Sequence, residues 1–272
     1  MGKILSGCPV LEVLHLKDCW GLNCLNISSP SLATLLIEDW ELYVREEDVF
    51  LEISAPYVLD LSIKDSKGGY EYKLRNVSSI VRAKLYFDSE DIDEHADPSP
   101  MDYMKELLES LQSVKELELG PWCVEVLSML EVKGWQLPPS TRRCLTLNVW
   151  VHKRSIAGIL GILKSSPNLE RLVIKGTHFP HKETESEDLD AAYLQNANLD
   201  LVAFHVKTVK ISSFTESFCS VEPMAKLVQL LLKGSTVLEK MVISAKELDI
   251  DKSARTLISF PRASSKAVIV FD

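Results

Sequence analysis

Apolar residues recur along the chain in one phrase: a proline, an apolar residue two positions on, and apolar residues three and five positions beyond that. Pro9 leads to Leu11, Leu14 and Leu16; Pro30 to Leu32, Leu35 and Ile37; Pro56 to Val58, Leu61 and Ile63; Pro167 to Leu169, Leu172 and Ile174. The same spacing without the proline returns at Ile80/Ala83/Leu85, Val114/Leu117/Leu119, Val206/Val209/Ile211 and Leu238/Met241/Ile243. Proline lacks an amide hydrogen and disfavours helix in the residue before it, so it ends one segment and launches an extended one. Alternating residues of that segment point to opposite faces, so each phrase predicts a strand with one apolar face. A lone strand has nothing to bury that face against. Stacked copies do, and the pattern predicts a solenoid.

The first copy goes further, because Leu11, Leu14, Leu16 and Cys19 match the leucine-rich-repeat consensus through its Asn/Cys position. The Cys19 thiol is expected to bond turn backbone there, not metal; Trp40, Ser66 and Trp122 hold the equivalent place in other copies. The first four copies are spaced by roughly 21 to 26 residues, within the range of such repeats. Between them, Leu25-Asn26-Ile27 and Leu51-Glu52-Ile53 predict short second strands on the convex side. Later copies are longer and carry helices. Met101, Met104, Leu107, Leu108 and Leu111 share one helical face, with Ser99 as N-cap and Pro100 at the first helical position. Ile156, Ile159, Leu160 and Leu163 form a second stripe after Ser155; Met224, Leu227, Val228 and Leu231 form a third, opened by Pro223 and closed by Gly234. These stripes are read as helix-to-sheet packing.

Composition narrows the function. The 272 residues are 46% hydrophobic and 25% charged, ordinary for a globular chain long enough to bury a large core. The net charge is −9 and no Lys/Arg cluster stands out, which argues against a grip on nucleic-acid phosphates. Six scattered cysteines, none at C-x-x-C spacing, predict reduced thiols in cytosol or nucleus and no zinc knuckle. No signal peptide is expected before the sequons at Asn26 and Asn76, which are read as chance matches, and no apolar run reaches the roughly 18 residues of a membrane helix. Met1-Gly2 with Ser6 matches a myristoylation pattern, but the segment leads straight into the first repeat, and Leu5 is expected in its core. No partner membrane is expected.

Several phrases together resemble the plant F-box/FBD/leucine-rich-repeat proteins over nearly the whole chain. They are LSGCPVLEVLHLKDC at 5–19, LNISSPSLATLLI at 25–37, LLESLQSVKELELG at 107–120, GWQLPPSTRRCLTL at 134–147 and ILKSSPNLERLVI at 162–174. VKTVKISSF at 206–214, LVQLLLKGSTVLEKMVI at 227–243 and LISFPRASSKAVIVF at 257–271 follow, the VLEKMVI and SFPRAS pieces resembling the FBD domain. The resemblance implies a substrate receptor for ubiquitination. In such proteins an F-box of forty-odd residues docks on the adaptor of a cullin–RING ligase. The chain opens inside a repeat at Met1, so an F-box is expected to be absent and the adaptor to be a partner only where an F-box is supplied. Pattern and resemblance predict an α/β fold: a curved, largely parallel leucine-rich-repeat solenoid over 1–195, with a mixed strand-and-helix convex side, and an FBD domain over 196–272 continuing its sheet.

The residues between the leucines line the concave face that commonly holds a partner in such repeats. Here they include His15, Leu36, Ser62, Lys84, Tyr86, Glu118, Val173, Lys210 and Val242, and His15, Lys84, Tyr86, Glu118 and Lys210 are the candidate contacts to a target protein. His178 and His181 with Glu183 and Glu185 have metal-ligand chemistry without a geometry to fix it, and are read as a solvated loop. The acidic run at 88–97 is read as an exposed connection. No G-x-S-x-G, phosphate loop or H-E-x-x-H occurs, so neither catalysis nor a cofactor is expected. The function expected is a non-catalytic protein-interaction scaffold. The alternatives are a hormone-type small-molecule receptor on the same scaffold and a truncated, non-functional remnant.

Overall fold

The computed structural model describes residues 5, 7–19, 24–39, 50–66, 71–87, 100–177, 204–214, 221–245 and 257–272. The chain forms two compact units, Met1–Glu118 and Leu119–Asp272.

In the first unit each phrase is a strand: β1 (Val13–Lys17), β3 (Thr34–Glu38), β5 (Asp60–Asp65), β7 (Arg82–Phe87) and β8 (Glu116–Leu119), side by side in that order. β1, β3, β5 and β7 pair in parallel. The register stacks Leu14, Leu35, Leu61 and Ala83 in one inward row and Leu16, Ile37, Ile63 and Leu85 in the next. Burying each such Leu or Ile contributes about 1.5–3 kcal/mol, so the rows bind successive repeats to one another. Opposite them, β2 (Cys24–Asn26), β4 (Phe50–Ser54) and β6 (Glu71–Arg75) form a second parallel sheet. The two short second strands are therefore observed, and a third joins them. Leu25, Leu51, Ile53 and Leu74 point inward from this sheet.

The elements following the short second strands then change from strand to helix. α1 (Pro100–Ser110) begins at the expected proline and packs on β6, with Met101, Met104, Leu107, Leu108 and Leu111 all buried; Ser99 lies outside the described residues. Aromatic rings fill the junction. Tyr72 stacks on Phe87 at 5.9 Å, Phe87 lies 5.8 Å from Tyr103, and the Tyr103 hydroxyl accepts the Tyr72 amide at 3.2 Å. The Tyr72 hydroxyl donates to Asp65, a buried carboxylate at the end of β5, at 3.2 Å.

The second unit repeats strand and helix: α2 (Pro121–Val132), β9 (Cys144–Val149), α3 (Lys153–Lys164), β10 (Arg171–Gly176), β11 (Thr208–Phe214), α4 (Val221–Gly234), β12 (Lys240–Ala245) and β13 (Val268–Phe271). β9 to β13 form a parallel run in chain order. Leu145, Leu172, Val209, Met241 and Ile269 stack in one row, and Leu147, Ile174, Ile211, Ile243 and Phe271 in another. The C-terminal strands thus extend the sheet begun by β9 and β10. Strand-by-strand stacking in both units is an α/β leucine-rich-repeat solenoid pattern.

Three features were not expected. α2 follows β8 directly, so Trp122, the counterpart of Cys19, lies in its first turn and not in an irregular turn. α3 starts two residues before Ser155, with His152 as N-cap; the Ser155 hydroxyl accepts the His152 amide at 3.1 Å. Arg142 stands three residues before Leu145, the place held elsewhere by buried Leu32, Val58, Ile80, Val114, Leu169, Val206 and Leu238. It is buried in the same way, at 2% exposure, and its Nε and Nη1 meet no hydrogen-bond acceptor among the described residues. Burial lowers its pKa to about 10.

Candidate protein-binding surface

The alternation that buries the leucines sends their neighbours outward, and the parallel register lines those neighbours up across strands about 4.8 Å apart. In the first unit one outward row is His15, Leu36, Ser62 and Lys84. Val13, Thr34, Asp60 and Arg82 flank it on one side, and Lys17, Glu38, Lys64 and Tyr86 on the other. Glu118 on β8 reaches Lys84, with Oε1 and Nζ 3.5 Å apart.

Cross-strand charge pairing organises this face. Glu38 meets three cations: Lys64 Nζ at 3.1 Å, Lys17 Nζ at 3.4 Å and, when protonated, His15 Nε2 at 3.4 Å. The hydrogen bond from Lys64 holds the Glu38 carboxyl below its ordinary pKa, and Glu38 in turn raises that of Lys64. Arg82 forks onto Asp60, with Nη2 2.6 Å from Oδ2, and that hydrogen bond raises the guanidinium pKa. Exposed pairs of this kind contribute little stability each, about 0–1 kcal/mol, but they fix where charge is presented. The side chains of His15 and Lys84 remain 49% and 47% exposed, and that of Glu118 24%.

The turns at the ends of these strands are held by local hydrogen bonds. Asp18 and Asp39 follow β1 and β3 in the left-handed region, φ 46° and 50°, where Asp and Asn are tolerated better than most residues. Asp39 Oδ1 accepts both the amide and the hydroxyl of Ser66, at 2.8 and 2.5 Å. The Cys19 thiol donates to the Lys17 carbonyl at 3.4 Å, the backbone bond expected of it. Trp40 lies outside the described residues.

Of the five candidate contacts, Lys84, Tyr86 and Glu118 form one group, the first two on β7 and the third on β8. His15 lies on β1, paired with Glu38 and apart from that group. Lys210 belongs to the second unit, where its outward row reads Thr146, Val173, Lys210, Val242 and Val270. That row is largely apolar, with Lys210 exposed. Sequence reasoning missed Lys17, Glu38, Asp60, Lys64 and Arg82. Extending the alternation by two residues on either side of the central position would have found them.

Among the described residues, no group of three or more His, Cys, Asp or Glu is placed to hold a metal, and no helix is long and apolar enough to cross a membrane. Cys8, Cys19, Cys24, Cys123 and Cys144 are free thiols. The histidine-containing stretch at 178–185 and the acidic run at 88–97 lie outside the described residues.

Comparison with known proteins adds relatives along most of the chain. Two Arabidopsis thaliana proteins named for an F-box and leucine-rich repeats are 31% and 30% identical to it, each match covering 89% of this chain and 52% of the relative. A third, an F-box/LRR-repeat protein of the same plant, is 29% identical over 98% of this chain and 59% of its own length. The chain spans about half the length of the first two. No family model and no solved structure matches.

Proposed function

This chain is a homologue of the plant F-box/leucine-rich-repeat proteins, and from that premise we propose that it is the target-recognition part of a ubiquitin-ligase receptor. The target is a protein, held on the outward strand face of the first unit around Lys84, Tyr86 and Glu118. The supporting observation is the register-locked row of exposed, charge-paired side chains on that face. A parallel solenoid repeats its outward positions at fixed spacing, which suits an extended protein surface. Hydrogen bonds and ion pairs at the rim of such a contact set specificity and encounter rate more than affinity.

In this proposal the chain performs no chemistry. Adaptor docking belongs to an F-box, residues 196–272 serve as the FBD portion, and the protein works in cytosol or nucleus.

Co-precipitation from plant extract tests the assignment, using this chain alone and the same chain with a family F-box fused in front. The expected outcome is that both capture the same target and only the fusion brings down the ligase adaptor. Adaptor captured equally by the unfused chain, or no target shared by the two, would overturn it.

A further inference from the structure

The outward side of β9 to β13 presents two adjacent rows, one of Cys144, Arg171, Thr208, Lys240 and Val268, the other of Thr146, Val173, Lys210, Val242 and Val270. Every charged residue in these rows is a cation. Arg171, Lys210 and Lys240 are exposed, Val268 is 56% exposed, and Val173, Val242 and Val270 are half-buried. Glu170 and Glu239 stand one residue before β10 and β12, outside the rows, and Glu170 lies 3.6 Å from Lys207. The first unit is built differently on the equivalent positions, where Asp60 offsets Arg82 and Glu118 meets Lys84. In a chain whose net charge is −9, such a concentration of cations does not follow from composition.

The register fixes the spacing. Strands stand about 4.8 Å apart, so Arg171 and Lys240, two strands apart in one row, lie about 10 Å from each other at the backbone. Lys210 sits on the strand between them, two residues further along, with Val173 and Val242 as its neighbours in the row. Like charges held this close repel, and an anionic partner relieves that repulsion. The aliphatic side chains between the cations add apolar area for a partner to cover, the usual mixture of a protein contact. Single-stranded nucleic acid is held by aromatic stacking as well as by charge, and neither row contains an aromatic residue.

We propose that the outward face of β10 to β13 docks an acidic, aliphatic segment of a partner protein. Its carboxylates meet Arg171, Lys210 and Lys240, and its apolar side chains cover Val173, Val242 and Val270. This goes beyond the target reading above, which concerns the first unit.

Fluorescence anisotropy with the full chain tests it. The probe is a labelled dodecapeptide of two glutamates followed by two valines, three times over, which puts both residue types on each side of an extended chain. One control has glutamine at every glutamate, a second has serine at every valine, and a third is an oligothymidylate of equal charge. The probe is expected to saturate below ~1 mM and to weaken as salt rises. All three controls, and the probe on the chain carrying Lys210→Glu with Lys240→Glu, are expected to bind about tenfold more weakly or worse. Lys84→Ala, on the other unit, leaves the affinity unchanged. No saturation by the probe, equal binding of any control, or undiminished binding by the double variant with an unaltered melting curve would each overturn the proposal.

Discussion

At Asp39 the backbone enters the left-handed region, φ 50°, and one carboxylate oxygen accepts both the amide and the hydroxyl of Ser66 in the next repeat. Asp39→Ala removes the acceptor and leaves a Cβ-bearing residue without the local bonding that makes this conformation tolerable. We expect a loss of about 1–2 kcal/mol in urea unfolding, most of it recovered by Asp39→Asn. Equal losses for both substitutions would show that the side-chain bond is not the cause. Arg142 presents the opposite case, a cation at a position otherwise given to Leu, Ile or Val, with two guanidinium nitrogens that find no acceptor among the described residues. Replacing a buried charge by an apolar residue of similar volume is often stabilising by 1–4 kcal/mol, so Arg142→Leu is expected to raise the urea midpoint. A lower midpoint would mean that the guanidinium makes a bond on which the repeat depends. For Glu38 the sign follows from its depressed carboxyl pKa. Its cross-strand contribution is fully present above the ordinary carboxylate pKa and is lost as pH falls through the lower, folded value. Glu38→Gln should therefore lose stability at pH 7 and match the parent once the acid is protonated. A pH series of urea unfolding curves for the two proteins measures the difference.

Among the elements, the α2–α3 contact depends on small residues. Ser128 Oγ donates to the Val124 carbonyl at 2.9 Å and accepts the Gly158 amide at 3.1 Å. A Cβ on Gly158 would stand 2.5 Å from that carbonyl and 2.6 Å from Ser128 Oγ, so α3 would have to move away. Gly158→Ala is expected to cost about 1–3 kcal/mol. At Gly161 the nearest atom to a new Cβ is the end of the Glu131 side chain, at 2.8 Å, which can swing aside. Gly161→Ala should accordingly cost less, although it disturbs the 2.6 Å pair between Glu131 and Lys164. Thermal melts of the two variants give the order directly, and the reverse order would contradict the geometry. The same elements show why some of the fold was readable and some was not. β1, β3, β5, β10 and β12 announce themselves through strict alternation at a recurring spacing, and α1, α3 and α4 through one apolar stripe each. α2 is apolar nearly all round, with Cys123, Val124, Val126, Leu127 and Leu130 all buried, so no stripe stands out. β9 escaped because Arg142 replaces the first apolar residue of its phrase. Which outward residues would pair was not readable either, since Glu38, Lys17 and Lys64 meet only through the register of three strands.

Over the whole molecule, the two units present different chemistry on equivalent strand positions. The central row of the first is His15, Leu36, Ser62 and Lys84, flanked by the alternating Lys17, Glu38 and Lys64, while that of the second offers Val173, Val242 and Val270 around Lys210. If, as proposed, a protein target is held on the first unit's face, its capture should weaken as salt screens those charges. The sequence anticipated the outward positions without indicating which of them form a group, because grouping depends on β7 and β8 being neighbours in the sheet. Recognition by Lys84, Tyr86 and Glu118 is tested most directly by quantitative co-precipitation from plant extract, with the parent chain compared to Lys84→Ala/Tyr86→Ala/Glu118→Ala. The substitutions remove side chains that point outward, so the melting temperature should shift little. The predicted result is loss of the captured target at unchanged folding; retention of the same target by the triple variant would contradict the account.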